Sequence, residues 1–232
     1  MLVGAAAGAL AASAAAQAQG LILPVKGSIG IYGSYMDQNI NEAGLNPDGG
    51  GGGVQLGLSF TNHFFISGSY EYNYLYQANA PGSAFSGLVP PGGSLTYGEK
   101  INQGRAGAGF VTGLFPLPLD IYGKVEYVHY DYQYVHGVHD GVDIGNADRF
   151  NDDGVGFHAG LQSKLPFLSI YGSIGYLNLS QSSGPEFNLG FEVPVLPLTW
   201  AFLEYRYDDL KVDHASEHNQ LDTVKAGLRM TF

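Results

Sequence analysis

From Leu21 onward, apolar and polar positions alternate with a period of two. In 65–76 the even positions are Ile66, Gly68, Tyr70, Tyr72, Tyr74 and Tyr76, and the odd ones are Phe65, Ser67, Ser69, Glu71, Asn73 and Leu75. The same split separates Val54, Leu56, Leu58 and Phe60 from Gln55, Gly57 and Ser59. It separates Val155, Phe157, Ala159 and Leu161 from Gly156, His158, Gly160, Gln162 and Lys164. It closes the chain with Val224, Ala226, Leu228, Met230 and Phe232 against Thr223, Lys225, Gly227, Arg229 and Thr231. Successive side chains of a strand point to opposite faces, so each run builds one apolar and one polar surface.

A water-soluble sandwich also alternates, and three features argue against one. The polar face carries Gly, Ser, Gln, Lys, Arg and Glu rather than the Thr/Lys-rich exterior of a soluble sheet. The run 119–134 reads as one strand of about 16 residues, against a usual soluble length of ~5–6. A membrane crossing needs ~9–11 residues, with the excess projecting outward. Finally, the connections alternate in length. Thr61-Asn62-His63, Pro116-Leu117-Pro118, Leu165-Pro166-Phe167 and Pro194-Val195-Leu196-Pro197 are short and mostly marked by proline. Between them lie the longer polar stretches 38–51, 78–95 and 136–152 and the shorter 181–185 and 211–219. Short turns at one end and long loops at the other are the layout of bacterial outer-membrane barrels, the short turns facing the periplasm.

The predicted strands lie near 25–37, 52–60, 64–77, 97–115, 119–135, 153–165, 168–180, 186–193, 198–210 and 220–232. The expected fold is therefore all-β: a transmembrane up-and-down antiparallel barrel of ten strands. Eight is the rival count, should 186–193 and a neighbour not be separate spans. A hairpin unit recurs, GFVTGLFPLPLDIYGKVEY at 109–127 and AGLQSKLPFLSIYGSIGY at 159–176.

Composition removes other classes. With 13% charged and 13% aromatic residues, the chain is not a disordered acidic tail. No apolar run long enough for a spanning helix follows the N-terminus. The absence of Cys excludes disulfides and thiolate chemistry. A formal net charge of -11 lacks the basic stripe that nucleic acid needs. Residues 1–18 form an Ala/Gly/Leu run ending in Ala16-Gln17-Ala18, the small-x-small pattern of a secretory signal peptide, although no Lys or Arg precedes it. Residues 19–232 are then a single barrel domain.

With the apolar face outward, the inward set includes Glu71, Arg105, Lys124, Glu126, His158, Lys164, Glu192, Glu204, Arg206, Lys225 and Arg229. A charge on the lipid face costs ~2–4 kcal/mol near the midplane. In a narrow barrel such charges are expected to pair and fill the lumen, Trp200 and Phe202 adding bulk; a narrow conducting pore is the alternative. Tyr70, Tyr72, Tyr74, Tyr76, Tyr127, Tyr176, Tyr205 and Tyr207 lie on the lipid face toward the long-loop ends, an aromatic girdle at the outer interface.

The loop 136–153 holds Asp140, Asp143 and Asp148 among other acids, a candidate for loose Ca²⁺ or Mg²⁺ binding. Its spacing departs from the calcium-loop pattern, and no metal or other cofactor is assigned. The run Gly49–Gly53 precedes no helix and reads as a flexible loop, not a phosphate cradle. His214-Ala215-Ser216 is similar to the His-x-Ser of outer-membrane lipid A deacylases of the PagL type. Those enzymes carry an orienting Glu about a dozen residues further on, where this chain has Gly227, Leu228, Arg229 and Met230. No catalytic residue is assigned and no enzymatic activity is expected, a lipid A-modifying hydrolase being the minor alternative.

The closing strand alternates up to Phe232, a terminus that looks like the recognition strand read by the barrel assembly machinery. With the export signal, the alternating strands and the proline turns, the chain resembles the small outer-membrane β-barrel family of the OmpA transmembrane-domain and OmpX type. That resemblance covers 20–232. It implies a monomeric barrel in a Gram-negative outer membrane, in contact with lipid and lipopolysaccharide, acting as a structural or surface-interaction protein or as a narrow pore.

Overall fold

The computed structural model describes all residues except 1–24, 41–43, 61–62, 82–93, 115, 140–141, 144–148 and 214–217. Its elements are β1 (Val25–Ile40), β2 (Asp48–Phe60), β3 (Phe64–Pro81), β4 (Ser94–Gly113), β5 (Leu119–His139), β6 (Val142–Asp143), β7 (Arg149–Leu165), β8 (Leu168–Leu179), β9 (Ser182–Leu196), β10 (Thr199–Val212) and β11 (His218–Thr231). Each long strand pairs antiparallel with its neighbours, β1 meets β11, and β4 meets β5, so the sheet closes. β6 only pairs with the outer end of β5, leaving ten strands in the barrel wall. Closure lets each wall strand pair on both edges, as a hydrocarbon environment demands.

Parity fixes which side chains meet lipid. Ile31, Phe157 and Ile174 are 62%, 56% and 67% exposed, while inward Tyr32, His158 and Ser173 beside them are buried. The short turns expected at 116–118 and 165–167 are present. From Leu119 to Tyr127 and from Leu168 to Tyr176, roughly nine residues each, the strands supply a membrane crossing.

Three expectations need correction. The Gly49–Gly53 run is not a loop: all five glycines lie in β2, paired with β1 and β3. A Cβ at Gly49, Gly51 or Gly53 would overlap the carbonyls of Tyr74, Tyr72 and Tyr70, so missing side chains let β3 lie close. The connection 38–51 accordingly shortens to 41–47. Second, 186–193 is the middle of a fifteen-residue strand, which removes the eight-strand count. The 181–185 connection shrinks to Ser180-Gln181. Third, Pro194, Val195 and Leu196 belong to β9 rather than to the turn. Pro194 lies opposite Trp200 at a register shift, and the turn is Pro197-Leu198, with Leu198 at φ 63.

Candidate functional site

Inward side chains stack in layers along the barrel axis. Toward the short turns lies an open chamber of about 730 Å³. Above it, at mid-height, sits a layer of paired charges. Above that, Met36, Leu75, Ile101, Val128, Tyr130, Tyr132, Leu177, Leu179, Leu210 and Leu221 form an apolar layer, all buried. The lumen was expected to be filled mainly by paired charges, with Trp200 and Phe202 adding bulk. Its outer half is filled largely by these hydrophobic groups instead, because there the inward positions pack against one another.

The charged layer is built from struts that cross the lumen. Arg105 on β4 places Nη1 2.5 Å from Glu186 Oε2 on β9 and 2.9 Å from Glu126 Oε1 on β5. Its Nη2 donates to the Tyr130 hydroxyl at 3.2 Å, and that hydroxyl donates to Asp208 Oδ2 at 2.8 Å. Arg206 Nε stands 3.3 Å from Asp208, and its Nη1 3.7 Å from Glu71. Lys225 Nζ reaches Glu71 at 2.9 Å and Glu204 at 3.4 Å, and Lys124 Nζ reaches Glu126 Oε2 at 2.6 Å. Nearer the short turns Arg229 pairs with Glu192 and lies 5.4 Å from the Phe202 ring centre. Burying an ion costs several kcal/mol unless partners surround it, and these contacts supply the partners.

His158 lies between two of these carboxylates, with Nε2 3.0 Å from Glu126 Oε1 and Nδ1 3.6 Å from Glu186 Oε1. A neutral ring can donate at only one nitrogen, an imidazolium at both. Glu126, His158 and Glu186 bring one ligand atom each within 4.8 Å of one another, as a metal site would. Arg105 Nη1, however, already bridges both carboxylates, so the cation built into this cluster is an arginine.

Each inward residue named from sequence lies on the lumen side, except that the side chain of Lys164 is outside the described residues; Lys164 itself pairs with Ser169 in β7. Sequence reading missed Glu186, Asp208, Tyr32 and Tyr130. Parity was a sufficient signal for the two acids: Glu186 shares it with Glu192, and Asp208 with Arg206. The candidate loop acids Asp140 and Asp148 lie outside the described residues, as does the side chain of Asp143. His214 and Ser216 also lie outside them. Phe232 exchanges two backbone hydrogen bonds with Gly27, and its ring is exposed.

The tyrosines named for the girdle all face outward. Several obey a rule not visible in sequence. Tyr127 donates to Asp153 at 2.7 Å, Tyr70 to Asn102 at 3.0 Å, and Tyr205 to Asp222. Tyr35, not named from sequence, donates to Asp48 at 2.8 Å. In every case the acceptor lies on the next strand, two residues outward of the tyrosine's direct partner. The ring stays with the apolar band while its hydroxyl meets the first polar row, as an interfacial tyrosine should.

A family model for the outer membrane protein beta-barrel domain matches residues 2–191. Among solved structures, the transport unit of the autotransporter AIDA-I from Escherichia coli is similar in fold, with a TM-score of 0.52 at 10% identity. That match covers 89% of this chain and 90% of that one. Neisserial surface protein A gives a TM-score of 0.47 at 12% identity, covering 89% and 97%. Ail of Yersinia pestis, in complex with the heparin analogue sucrose octasulfate, gives 0.46 at 14% identity, covering 90% and 99%. Among curated proteins none matches.

Proposed function

Because the chain belongs to the outer membrane protein β-barrel domain family and resides in the bacterial outer membrane, we propose that it is a closed, non-enzymatic surface barrel. On this reading the wall and lumen are a scaffold, and the long outer connections meet the environment or other cells. The observation that supports it is the apolar layer above the cross-lumen ion pairs. Ten buried hydrophobic groups in the outer half of the lumen, packed there beside buried Gln38, Glu99 and Asp152, support a filled rather than a conducting interior. A dehydrated charge in such surroundings is strongly unfavourable.

Planar-bilayer recording on the refolded chain separates this from a narrow channel. No discrete current steps are expected. Steps that disappear on bulky substitution at inward Gly107 or Gly160 would establish the channel instead. The surface role is tested by shortening 82–93 and 140–148 to Gly/Ser linkers: cells displaying the shortened chain should lose autoaggregation and surface adhesion relative to the full chain. For the hydrolase alternative, release of acyl chains from lipid A that is lost in Ser216→Ala would overturn the non-enzymatic reading.

A further inference from the structure

The chamber at the short-turn end carries a charge pattern opposite to that of the whole chain. Of the ten Lys and Arg residues, six line it: Lys26, Arg105, Lys124, Arg206, Lys225 and Arg229. Of 21 Asp and Glu residues only three do, namely Glu126, Glu192 and Glu204. Glu71, Glu186 and Asp208, which pair with the two buried arginines, do not reach the chamber wall. They lie one level further out than Ser69, Asn188 and Arg206 on the same strands, so the charged layer turns its cationic side to the chamber. Most of these cations are paired, but several of their carboxylates stand on the far side of the layer, and such an oriented charge arrangement in low dielectric favours an incoming anion.

Between the charges the wall offers hydroxyls and amides from Ser67, Ser69, Gln55, Gln162 and Asn188, and flat rings from Tyr171 and Trp200. Gln55 Nε2 and Asn188 Oδ1, one donor and one acceptor, are buried on this wall without a hydrogen-bond partner. Buried polar atoms are normally satisfied, and such a pair calls for an incoming partner. At about 730 Å³ the chamber falls within the ~300–1,000 Å³ of small-molecule sites. Its upper end is closed by the charged layer, which makes it a one-mouthed binding site rather than a conduit.

We propose that this chamber binds a small anionic, hydroxyl-rich solute of the sugar-phosphate or sugar-acid class, entering from the periplasmic side. The anionic group meets the rim and floor cations; the hydroxyls take the orphaned amides and the serines; a sugar face stacks on the rings.

Trp200 is the sole tryptophan of the chain and lines the chamber, so its fluorescence reports the site directly. The test titrates the refolded full-length barrel with glucose 6-phosphate, gluconate, glucose and inorganic phosphate in turn. Saturable changes are expected with glucose 6-phosphate and gluconate. Glucose should require at least tenfold more, and inorganic phosphate should bind more weakly than the sugar phosphate. Lys26→Gln, an exposed rim position, should weaken glucose 6-phosphate about fivefold without altering the barrel, the size expected of one partly screened charge. Ser67→Phe, which fills the chamber, should abolish the response, with heat-modifiable gel migration confirming that the variant is folded. Lack of saturation with all four probes would overturn the proposal. So would glucose binding as tightly as its phosphate, inorganic phosphate equalling the sugar phosphate, or a response that survives Ser67→Phe in folded protein.

Discussion

Arg105 meets two carboxylates and a tyrosine hydroxyl from two other strands, β5 and β9, and its guanidinium is buried. Removing it strands Glu126 and Glu186 without their shared cation. Arg105→Met should therefore cost about 3–5 kcal/mol of unfolding free energy, read by urea titration of the barrel in lipid vesicles. Replacing Arg105, Glu126 and Glu186 together by Met, Gln and Gln should cost less than the single change, because no buried carboxylate of this trio is left without its cation and Lys124, which loses Glu126, is partly exposed on the chamber wall. If the single variant unfolds at the wild-type urea concentration, the struts are not structural. Which positions carry inward charge was legible in the alternation, since a parity reading put Arg105, Glu126 and Lys225 inside. Who pairs with whom was not. Arg105 and Glu186 stand 81 residues apart and meet only because closure sets β4 opposite β9 across the lumen.

The strands show why one element was misread. The pentaglycine of β2 has no side chains to alternate, so periodicity gives no signal there and composition suggests a loop. Pairing from both sides decides the matter: Gly51 lies opposite Ser34 on β1 and Asn73 on β3. A side chain at Gly51 would overlap the Tyr72 carbonyl, whereas one at outward Gly33 meets only the Gly51 carbonyl at 3.9 Å. Gly51→Val should thus destabilise the barrel by about 1–3 kcal/mol or more. Gly33→Ala should stay within about 0.5 kcal/mol of wild type. The midpoint of heat-modifiable migration in gels ranks the two, and equal midpoints would put the tract in an unpaired loop after all. Strand count, the turns at 116–118 and 165–167 and the lipid-facing set were readable, because a period of two and proline turns are local signals. The inward apolar layer was hidden because Met36, Leu75 and Leu210 break the expected polar parity one strand at a time. They become a layer only when ten strands are brought to the same height.

For the molecule as a whole, the account is a closed wall with lipid outside, a dry apolar layer and ion pairs in the lumen's outer half and middle, and a wet chamber at the short-turn end. The chain has no Cys, so a single introduced thiol is an unambiguous probe of any site. The most direct measurement labels three variants in oriented vesicles with a membrane-impermeant maleimide. Met36→Cys in the apolar layer and Phe157→Cys on the lipid face should both resist the reagent from either side. Ser67→Cys in the chamber should react, and only from the short-turn side. Labelling of Met36→Cys at the rate of Ser67→Cys would contradict the sealed lumen, and labelling of Phe157→Cys by the water-borne reagent would contradict the barrel's placement in lipid.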